Sequence, residues 1–220
     1  MIVEHSAVNL TEAKVDSKWS KLPGDSVVEG TVSALGARGF NVVVAKDAAE
    51  ALAAVRKIIP KDAEVMNGSS TTLNEIGFGE LLKSGGHGWR NLHEGILAEK
   101  DAGKQAELRR KAVTADYFVS GVNALTQDGE MVAADASGSR VGAFLFAANH
   151  LVLVAGTNKI VPSLDDAFAR LREYVFPLED ARAKRVYGMG SSISKIVVLA
   201  AEPYNKGRVT VVLVREKLGY

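Results

Sequence analysis

The chain has 220 residues, of which 47% are hydrophobic and 24% are charged, and it contains no cysteine. These proportions are typical of a globular protein with a sizeable core, and the lack of cysteine excludes disulfides, thiolate nucleophiles, iron–sulfur ligation and cysteine-based zinc sites. The formal net charge of +1 gives no general field for nucleic acid or for an anionic membrane, so neither is an expected partner.

The N-terminal stretch MIVEHSAVNL lacks a basic segment followed by an apolar one. No apolar run in the chain has the length of a membrane span. We therefore expect a cytoplasmic protein. Its domain organisation is predicted as a helical extension over residues 1–24 and one α/β domain over residues 25–220.

Helical and strand patterns alternate along the first half of that domain, which indicates an α/β fold. The first predicted helix begins at Asp25 or Ser26, and FNVVVA at residues 40–45 follows as an apolar run of strand length. Pro60 ends the second helix. A long charged helix is predicted over roughly residues 97–112.

The second half continues the same alternation. Asp128-Gly129 predicts a tight turn in a hairpin. Residues 137–148 (SGSRVGAFLFAA) are typical of a buried helix, and residues 150–156 (HLVLVAG) of a central strand. Ser163 begins a helix that Pro177 is expected to end or kink, and two β-branched runs close the chain.

A hydroxyl-rich stretch, EVMNGSSTTLNEIG at residues 64–77, joins a predicted strand to a predicted helix. Thr72 and Glu75 have the spacing of a capping box, which stabilises a helix without any ligand. A helix start beyond a strand end also favours phosphate or carboxylate binding. The residues that the box leaves free for an anion are Gly68, Ser69, Ser70 and Thr71.

A second cluster follows the predicted hairpin. Asp135 precedes a helix start and either caps that helix or takes part in chemistry. The Ser137-Gly138-Ser139 turn is a candidate for a second anionic group or for the close approach of a ligand, for which Gly138 leaves room. Arg140 either clamps a carboxylate or lies on the surface of the first turn, where it opposes the helix dipole.

The third cluster lies directly after the strand LVLVA. Lys159 is a candidate partner for a substrate phosphate or carboxylate, and Asn158 for an amide contact, although a solvated turn explains both equally well. His87 and Trp89 lie in a glycine-rich loop that either closes over the pocket or faces a partner. The histidines have no metal-ligand spacing, and no metal site or cofactor is predicted.

The stretch from YFVSGV to DARAKR at residues 117–185, with NGSSTTLNEIGF at residues 67–78 and the closing VVLVREKLGY, resembles the LUD-domain proteins, the lactate utilization protein C-like group. The resemblance covers most of the chain. It implies a three-layer, Rossmann-like α/β fold of the NagB/RpiA/CoA transferase-like type, with a mostly parallel sheet and helices on both faces. It also implies a link to bacterial oxidation of L-lactate to pyruvate.

Two departures limit what the resemblance implies. Many relatives carry a cysteine-rich segment where this chain reads VYGMGSSISK at residues 186–195, so electrons in lactate oxidation would travel on a partner. Related isomerases carry an acidic residue at the position of Asn123. An amide is no general base, although it remains a candidate ligand contact.

Two hypotheses remain open from the sequence. The first is an enzyme component acting on a small anionic metabolite, with Glu75, Asp135 or His87 as the acid–base residue; an isomerase-like or CoA transferase-like activity on a phosphorylated or CoA-linked substrate belongs to this class. The second is a non-catalytic ligand-binding or assembly module for other lactate-utilization subunits. A homodimer is left open.

Overall fold

The computed structural model describes residues 15–220, so most of the expected N-terminal helical extension, residues 1–14, lies outside the described residues. After them comes a 3₁₀ turn at Ser17–Ser20. The backbone carbonyl of Trp19 accepts a hydrogen bond of 2.9 Å from Nε of Arg170. This contact ties the turn to the α/β domain.

The elements of residues 15–220 follow one another in nearly regular alternation. The strands are β1 Asn41–Ala45, β2 Glu64–Asn67, β3 Arg90–Asn91, β4 Tyr117–Gly121, β5 Ala124–Thr126, β6 Met131–Asp135, β7 His150–Gly156, β8 Ile160–Val161, β9 Lys195–Leu199 and β10 Val209–Val214. The α-helices are α1 Asp25–Ala37, α2 Ala48–Ile58, α3 Thr71–Glu75, α4 Phe78–Ser84, α5 Leu92–Ala98, α6 Ala102–Ala112, α7 Ser139–Gly142, α8 Leu164–Arg170 and α9 Phe176–Tyr187.

A six-stranded sheet forms the centre of the domain, in the order β1-β10-β7-β4-β2-β3, and all of its strand pairs are parallel. Its strands are apolar on both faces: in β7, Leu151 and Leu153 belong to one core cluster, and Val152 and Val154 to another. A sheet with helices on both faces requires this composition. The predicted three-layer Rossmann-like fold is confirmed.

A second sheet, in the order β8-β5-β6-β9, lies over one face of the first. Its hairpin β5–β6 is antiparallel and contains the predicted Asp128-Gly129 turn. Leu125 and Met131 share a core cluster with Leu151 of the central sheet, whereas Val132 on the opposite face packs in the cluster of α8 and α9. The sequence patterns predict the hairpin but not this sheet.

The predicted helix over residues 97–112 is wrong in its extent, because the structure has α5 and α6 there, separated at residues 99–101. Asp101 causes the restart, since its carboxylate accepts a hydrogen bond of 2.8 Å from the backbone N–H of Lys104 and caps α6. Gln105 donates to the backbone carbonyls of Ile96 and Glu99 and so bridges the two helices.

Two further helix predictions need correction. Pro177 does not end its helix: a π-helical turn at Leu171–Val175 precedes it, and the chain stays helical through α9. The π-helical turn directly before Pro177 breaks the regular i→i−4 hydrogen-bond pattern, and it accommodates a residue that has no N–H to donate. The expected buried helix over residues 137–148 is α7 followed by a π-helical turn, with Leu145 and Phe146 exposed. Among residues 15–220, none of the helices is both long and apolar enough to cross a membrane.

Candidate functional site

A cavity of about 510 Å³ opens beyond the carboxyl ends of β2, β4 and β6 and beside the turn that follows β7. Ligands of open α/β sheets bind at this edge. The structure brings ten of the candidate residues into its lining, namely Gly68, Ser69, Ser70, Thr71, Asn123, Asp135, Ser137, Ser139, Arg140 and Lys159. The candidates Glu75, Gly138, Asn158 and His87 lie outside the lining.

Lys159 forms part of the cavity wall and is only 2% exposed. Its Nζ donates hydrogen bonds to Oγ1 of Thr72 at 2.8 Å and to the backbone carbonyl of Val122 at 3.0 Å. Within residues 15–220 no carboxylate lies within ion-pair distance of this amine. Burial holds the pKa of Lys159 well below its ordinary 10.5, and the charges of Arg170 and Arg140 lower it further.

The hydroxyl-rich residues 68–72, between β2 and α3, are arranged differently from the sequence prediction. Ser70 caps α3, because its Oγ accepts a hydrogen bond of 3.3 Å from the backbone N–H of Leu73. The predicted capping box is therefore wrong: Thr72 is buried against Lys159, and Glu75 is exposed outside the cavity. Since α3 has only five residues, its dipole contributes little to anion binding, and the cationic side chains must carry that role.

Asp135 and Arg140 form a closed ion pair in the part of the cavity wall that β6 and α7 supply. One carboxylate oxygen accepts from Nε of Arg140 at 2.9 Å, and the other accepts the backbone N–H groups of Arg140 and Val141 at 2.9 and 3.0 Å. The guanidinium also donates to the backbone carbonyls of Gly121 and Ala134. Asp135 thus caps α7 and holds Arg140, and both of its oxygens are engaged.

The Ser137-Gly138-Ser139 turn has less room than the sequence suggests. The hydroxyls of Ser137 and Ser139 lie 3.0 Å apart at the cavity rim. A Cβ on Gly138, whose φ is +91°, would lie 2.6 Å from Cδ of Lys195. The space expected for a ligand is therefore filled by the Lys195 side chain, and glycine is required here by the left-handed backbone.

Asn123 and Asn158 both make structural contacts. Oδ1 of Asn123 accepts a hydrogen bond of 2.8 Å from the backbone N–H of Ala134, which joins the ends of β5 and β6 beside the cavity. Oδ1 of Asn158 accepts from the backbone N–H of Leu218 at 3.1 Å, and its Nδ2 donates to the carbonyl of Gly219. Asn158 thereby fixes the segment of residues 218–220 against the site.

That segment brings into the wall a side chain that sequence reasoning missed. The hydroxyl of Tyr220 donates a hydrogen bond of 2.7 Å to Glu179, which also forms a two-point ion pair with Arg182 at 2.7 and 2.8 Å. Burial and the neighbouring carboxylate raise the pKa of Tyr220. No local motif marks these three residues, because the fold brings them together from α9 and from the last residues of the chain.

His93 and Arg109 are two further lining residues that the sequence did not indicate as ligand contacts. Nδ1 of His93 lies 3.3 Å from Oδ1 of Asn67. Burial lowers the pKa of His93, with a smaller contribution from the charge of Arg109. Arg109 is exposed on α6 and forms no ion pair within residues 15–220.

The glycine-rich loop does not cover the cavity, so of the two alternatives for His87 and Trp89, a lid or a partner-facing loop, the lid is wrong. Trp89 is buried and stacks on Phe78, and its Nε1 donates to the carbonyl of Ile59. His87 stacks on Trp89 and accepts a hydrogen bond from the backbone N–H of that residue. Trp89 thereby belongs to the core cluster that also contains Val55 of α2 and Phe78 of α4.

The electrostatics of the cavity favour an anion. Among residues 15–220, four basic side chains line it against two carboxylates: Arg109, Arg140, Lys159 and Arg182 against Asp135 and Glu179. Both carboxylates form ion pairs, with Arg140 and Arg182, so Lys159 and Arg109 have no acidic partner in this part of the chain. In the described part of the chain, no three histidine, cysteine or acidic side chains are grouped to hold a metal ion.

Comparison with known proteins gives matches of two kinds. The family model of the LUD domain matches residues 28–217. Among solved structures, the fold is similar to the crystal structure of a DUF162 family protein from Deinococcus radiodurans, with a TM-score of 0.53 and 10% identity over 88% of this chain and 99% of that one. At this identity the structural likeness concerns the fold alone. No curated protein matches the chain.

Proposed function

The chain belongs to the LUD domain family, and we propose that it binds a small anionic metabolite in the cavity beyond β2, β4 and β6, as part of lactate utilization. The ligands that fit this proposal best are small carboxylates of the size of L-lactate and pyruvate. A cavity of about 510 Å³ lies within the usual range for small-molecule sites. It leaves room for a larger anion, such as a sugar phosphate, as well.

The observation that carries the proposal is the buried amine of Lys159, which lines the cavity without a carboxylate partner. Buried charges in proteins are normally paired, and an unpaired one either loses its proton or waits for a partner. An incoming carboxylate would supply that partner. Arg109, also unpaired within residues 15–220, would add attraction from the rim.

The side chains around Arg140 would position the ligand by hydrogen bonds rather than neutralise its charge. Three of the five N–H groups of Arg140 already donate to Asp135, Gly121 and Ala134, so two remain for a ligand. The hydroxyls of Ser69 and Ser137 line the same cavity and are suited to hydrogen bonding with carboxylate or hydroxyl oxygens.

A second candidate is a non-catalytic module that binds a ligand and presents it to other lactate-utilization subunits. One observation favours it: neither carboxylate proposed as an acid–base group is free, because Asp135 is held by Arg140 and Val141, and Glu75 lies outside the cavity and accepts from Gly219. A general base must reach the proton that it removes. Co-purification of the chain with such subunits, and no turnover of any bound ligand, would support this candidate.

The experiment that tests the proposal is a thermal-shift screen of the purified protein against L-lactate, pyruvate, sugar phosphates, CoA esters and folates. A ligand at 100 times its Kd adds about 2.7 kcal/mol, which corresponds to a shift of several degrees for a domain of this size. We expect a shift with at least one small carboxylate. The same shift should be lost in Lys159→Met.

Lys195→Met is the matched control, because Lys195 lies at the edge of the site but is exposed and donates only to the carbonyl of Ala136. It should keep the shift. Equal responses of the two variants, or no shift with any anion, would contradict the proposal.

A further inference from the structure

The surroundings of the Lys159 amine suit its unprotonated form. Two acceptors, the hydroxyl of Thr72 and the carbonyl of Val122, lie at 2.8 and 3.0 Å from Nζ. A neutral amine has two N–H groups and one lone pair, whereas an ammonium has three N–H groups to satisfy. The two acceptors therefore match the neutral form, and the third position of the nitrogen has no partner within residues 15–220.

The charges around the amine act in the same direction. Arg170 and Arg140 both lower the pKa of Lys159, in addition to the larger effect of burial, and Glu75 is the one acidic group that opposes them. Arg170 is itself buried, with Nη2 lacking any hydrogen-bond partner among the described residues. A lysine beside other cations and removed from water is the kind that acts as a nucleophile towards carbonyl carbon.

The backbone around Lys159 holds its amine in position. Lys159 lies in a 3₁₀ turn between β7 and β8, so it is anchored to both sheets. A Cβ on Gly219 would lie 2.4 Å from Oγ1 of Thr72 and 3.4 Å from Nζ of Lys159, so glycine at this position lets the closing segment pass over the pair. The amine is thus positioned by close packing on one side and meets the cavity on the other.

We propose that the neutral amine of Lys159 forms an imine with the carbonyl carbon of a small oxo-carboxylate such as pyruvate, whose carboxylate is held by Arg109 and by the two N–H groups of Arg140 that have no acceptor within residues 15–220. The inference rests on the proposed function, since the carboxylate of the ligand must first bind there. It adds a covalent step and a ligand class: a carboxylate with a neighbouring ketone or aldehyde, and not a hydroxy acid.

The step is balanced without an oxidant or a reductant. The lone pair of Nζ attacks the carbonyl carbon, and the C=O π pair moves to oxygen, which takes a proton. Both hydrogens of the amine finally leave with that oxygen as water, and a C=N bond replaces C=O. The hydrogen bonds from Nζ to Thr72 and Val122 are given up as its hydrogens depart, and Thr72 keeps its own contact of 3.5 Å with the carbonyl of Leu218.

The test is reductive trapping of the full chain with pyruvate and sodium cyanoborohydride, followed by intact-mass measurement and peptide mapping. We expect one adduct per chain, located at Lys159, with the mass of pyruvic acid less one oxygen atom. L-lactate has the same charge and nearly the same size but no carbonyl, so it should give none. A lowered pKa raises the neutral fraction of the amine at pH 7, so Lys159 should be modified faster than the exposed lysines.

Because peptide mapping is done on the unmodified sequence, the test does not depend on a variant that folds. Lys159→Met should lose the adduct, and Lys195→Met should keep it. A thermal shift with pyruvate but no adduct would overturn the imine and leave the anion site standing. Adducts spread evenly over surface lysines would also overturn it. The absence of both adduct and shift would remove the proposed function together with this inference.

Discussion

The two walls of the cavity treat a positive charge in opposite ways. On one wall, Arg140 is held by Asp135 and by two backbone carbonyls, so its charge is neutralised within the protein. On the other, Lys159 is more deeply buried, and within residues 15–220 its hydrogen-bond partners are one hydroxyl and one backbone carbonyl. The first arrangement stabilises the fold, whereas the second leaves a group in need of an external anion. The difference separates a structural ion pair from the amine that we propose as the ligand contact.

The largest effect should come from breaking the paired wall. Asp135→Ala leaves the buried charge of Arg140 and two backbone N–H groups without their acceptor, so the free energy of unfolding should fall by about 3 kcal/mol. Chemical denaturation measures this loss. Glu80→Ala is the control, because Glu80 forms an exposed ion pair with Lys83 and its loss should cost under about 1 kcal/mol. Similar losses of unfolding free energy in the two variants would show that Asp135 contributes no more than an exposed ion pair.

The pH dependence of stability should reveal the lowered pKa of Lys159. Between the lowered pKa of Lys159 and 10.5, the unfolded chain binds more protons at this residue than the folded chain. Stability relative to Lys159→Met should therefore rise with pH across that window, with a limiting slope of about 1.4 kcal/mol per pH unit. Denaturation of both proteins at several pH values checks the sign. A difference that does not change with pH would mean that Lys159 keeps its proton.

Arg109, at the rim of the cavity, should contribute less to ligand affinity than the buried Lys159. Arg109→Gln removes an exposed cation that lines the cavity, so ligand affinity should fall by about 1 kcal/mol, or roughly fivefold in Kd, and less at high salt. Isothermal titration with the carboxylate found in the thermal screen measures the change. Arg110→Gln, its exposed neighbour outside the lining, should leave Kd unchanged. If both substitutions weaken binding equally, general charge rather than the rim is responsible.

The smallest effect should be on the neutral-pH stability of Lys159→Met. The substitution removes two hydrogen bonds but also removes the cost of burying an amine without an acidic partner. The two contributions oppose each other, so the free energy of unfolding should stay within about 1 kcal/mol of the parent protein. Urea denaturation checks it. A loss of the size expected for Asp135→Ala would show that Lys159 is structural like its counterpart.

The sequence predicts strands of the central sheet well, because each of them is marked by the composition of its own short segment. Continuous apolar runs such as residues 40–45 and 150–156 have the composition of strands that are covered on both faces, and the structure has β1 and β7 there. The second sheet was not predicted, because β8 has only two residues and its partner β5 is distant from it in sequence. The restart at Asp101 is a local signal that the long charged pattern concealed.

The site divides in the same way. Lys159 and the loop from Gly68 to Thr71 could be found from their positions directly after strands. The capping role assigned to Thr72 was wrong because a buried lysine, 87 residues away in sequence, competes for its hydroxyl. Arg109 and Tyr220 reach the cavity only through tertiary packing, and no spacing in the sequence links them to it.

The most direct test of the account is an NMR titration of the Lys159 side-chain amine, with and without an excess of L-lactate, which is a proposed ligand and has a carboxylate but no ketone. We predict a pKa well below the ordinary 10.5 in the free protein, because burial and the charges of Arg170 and Arg140 disfavour the ammonium. Lactate should raise it, since the bound carboxylate stabilises the proton. An ordinary pKa that lactate leaves unchanged would contradict a cavity built around an amine awaiting an anion.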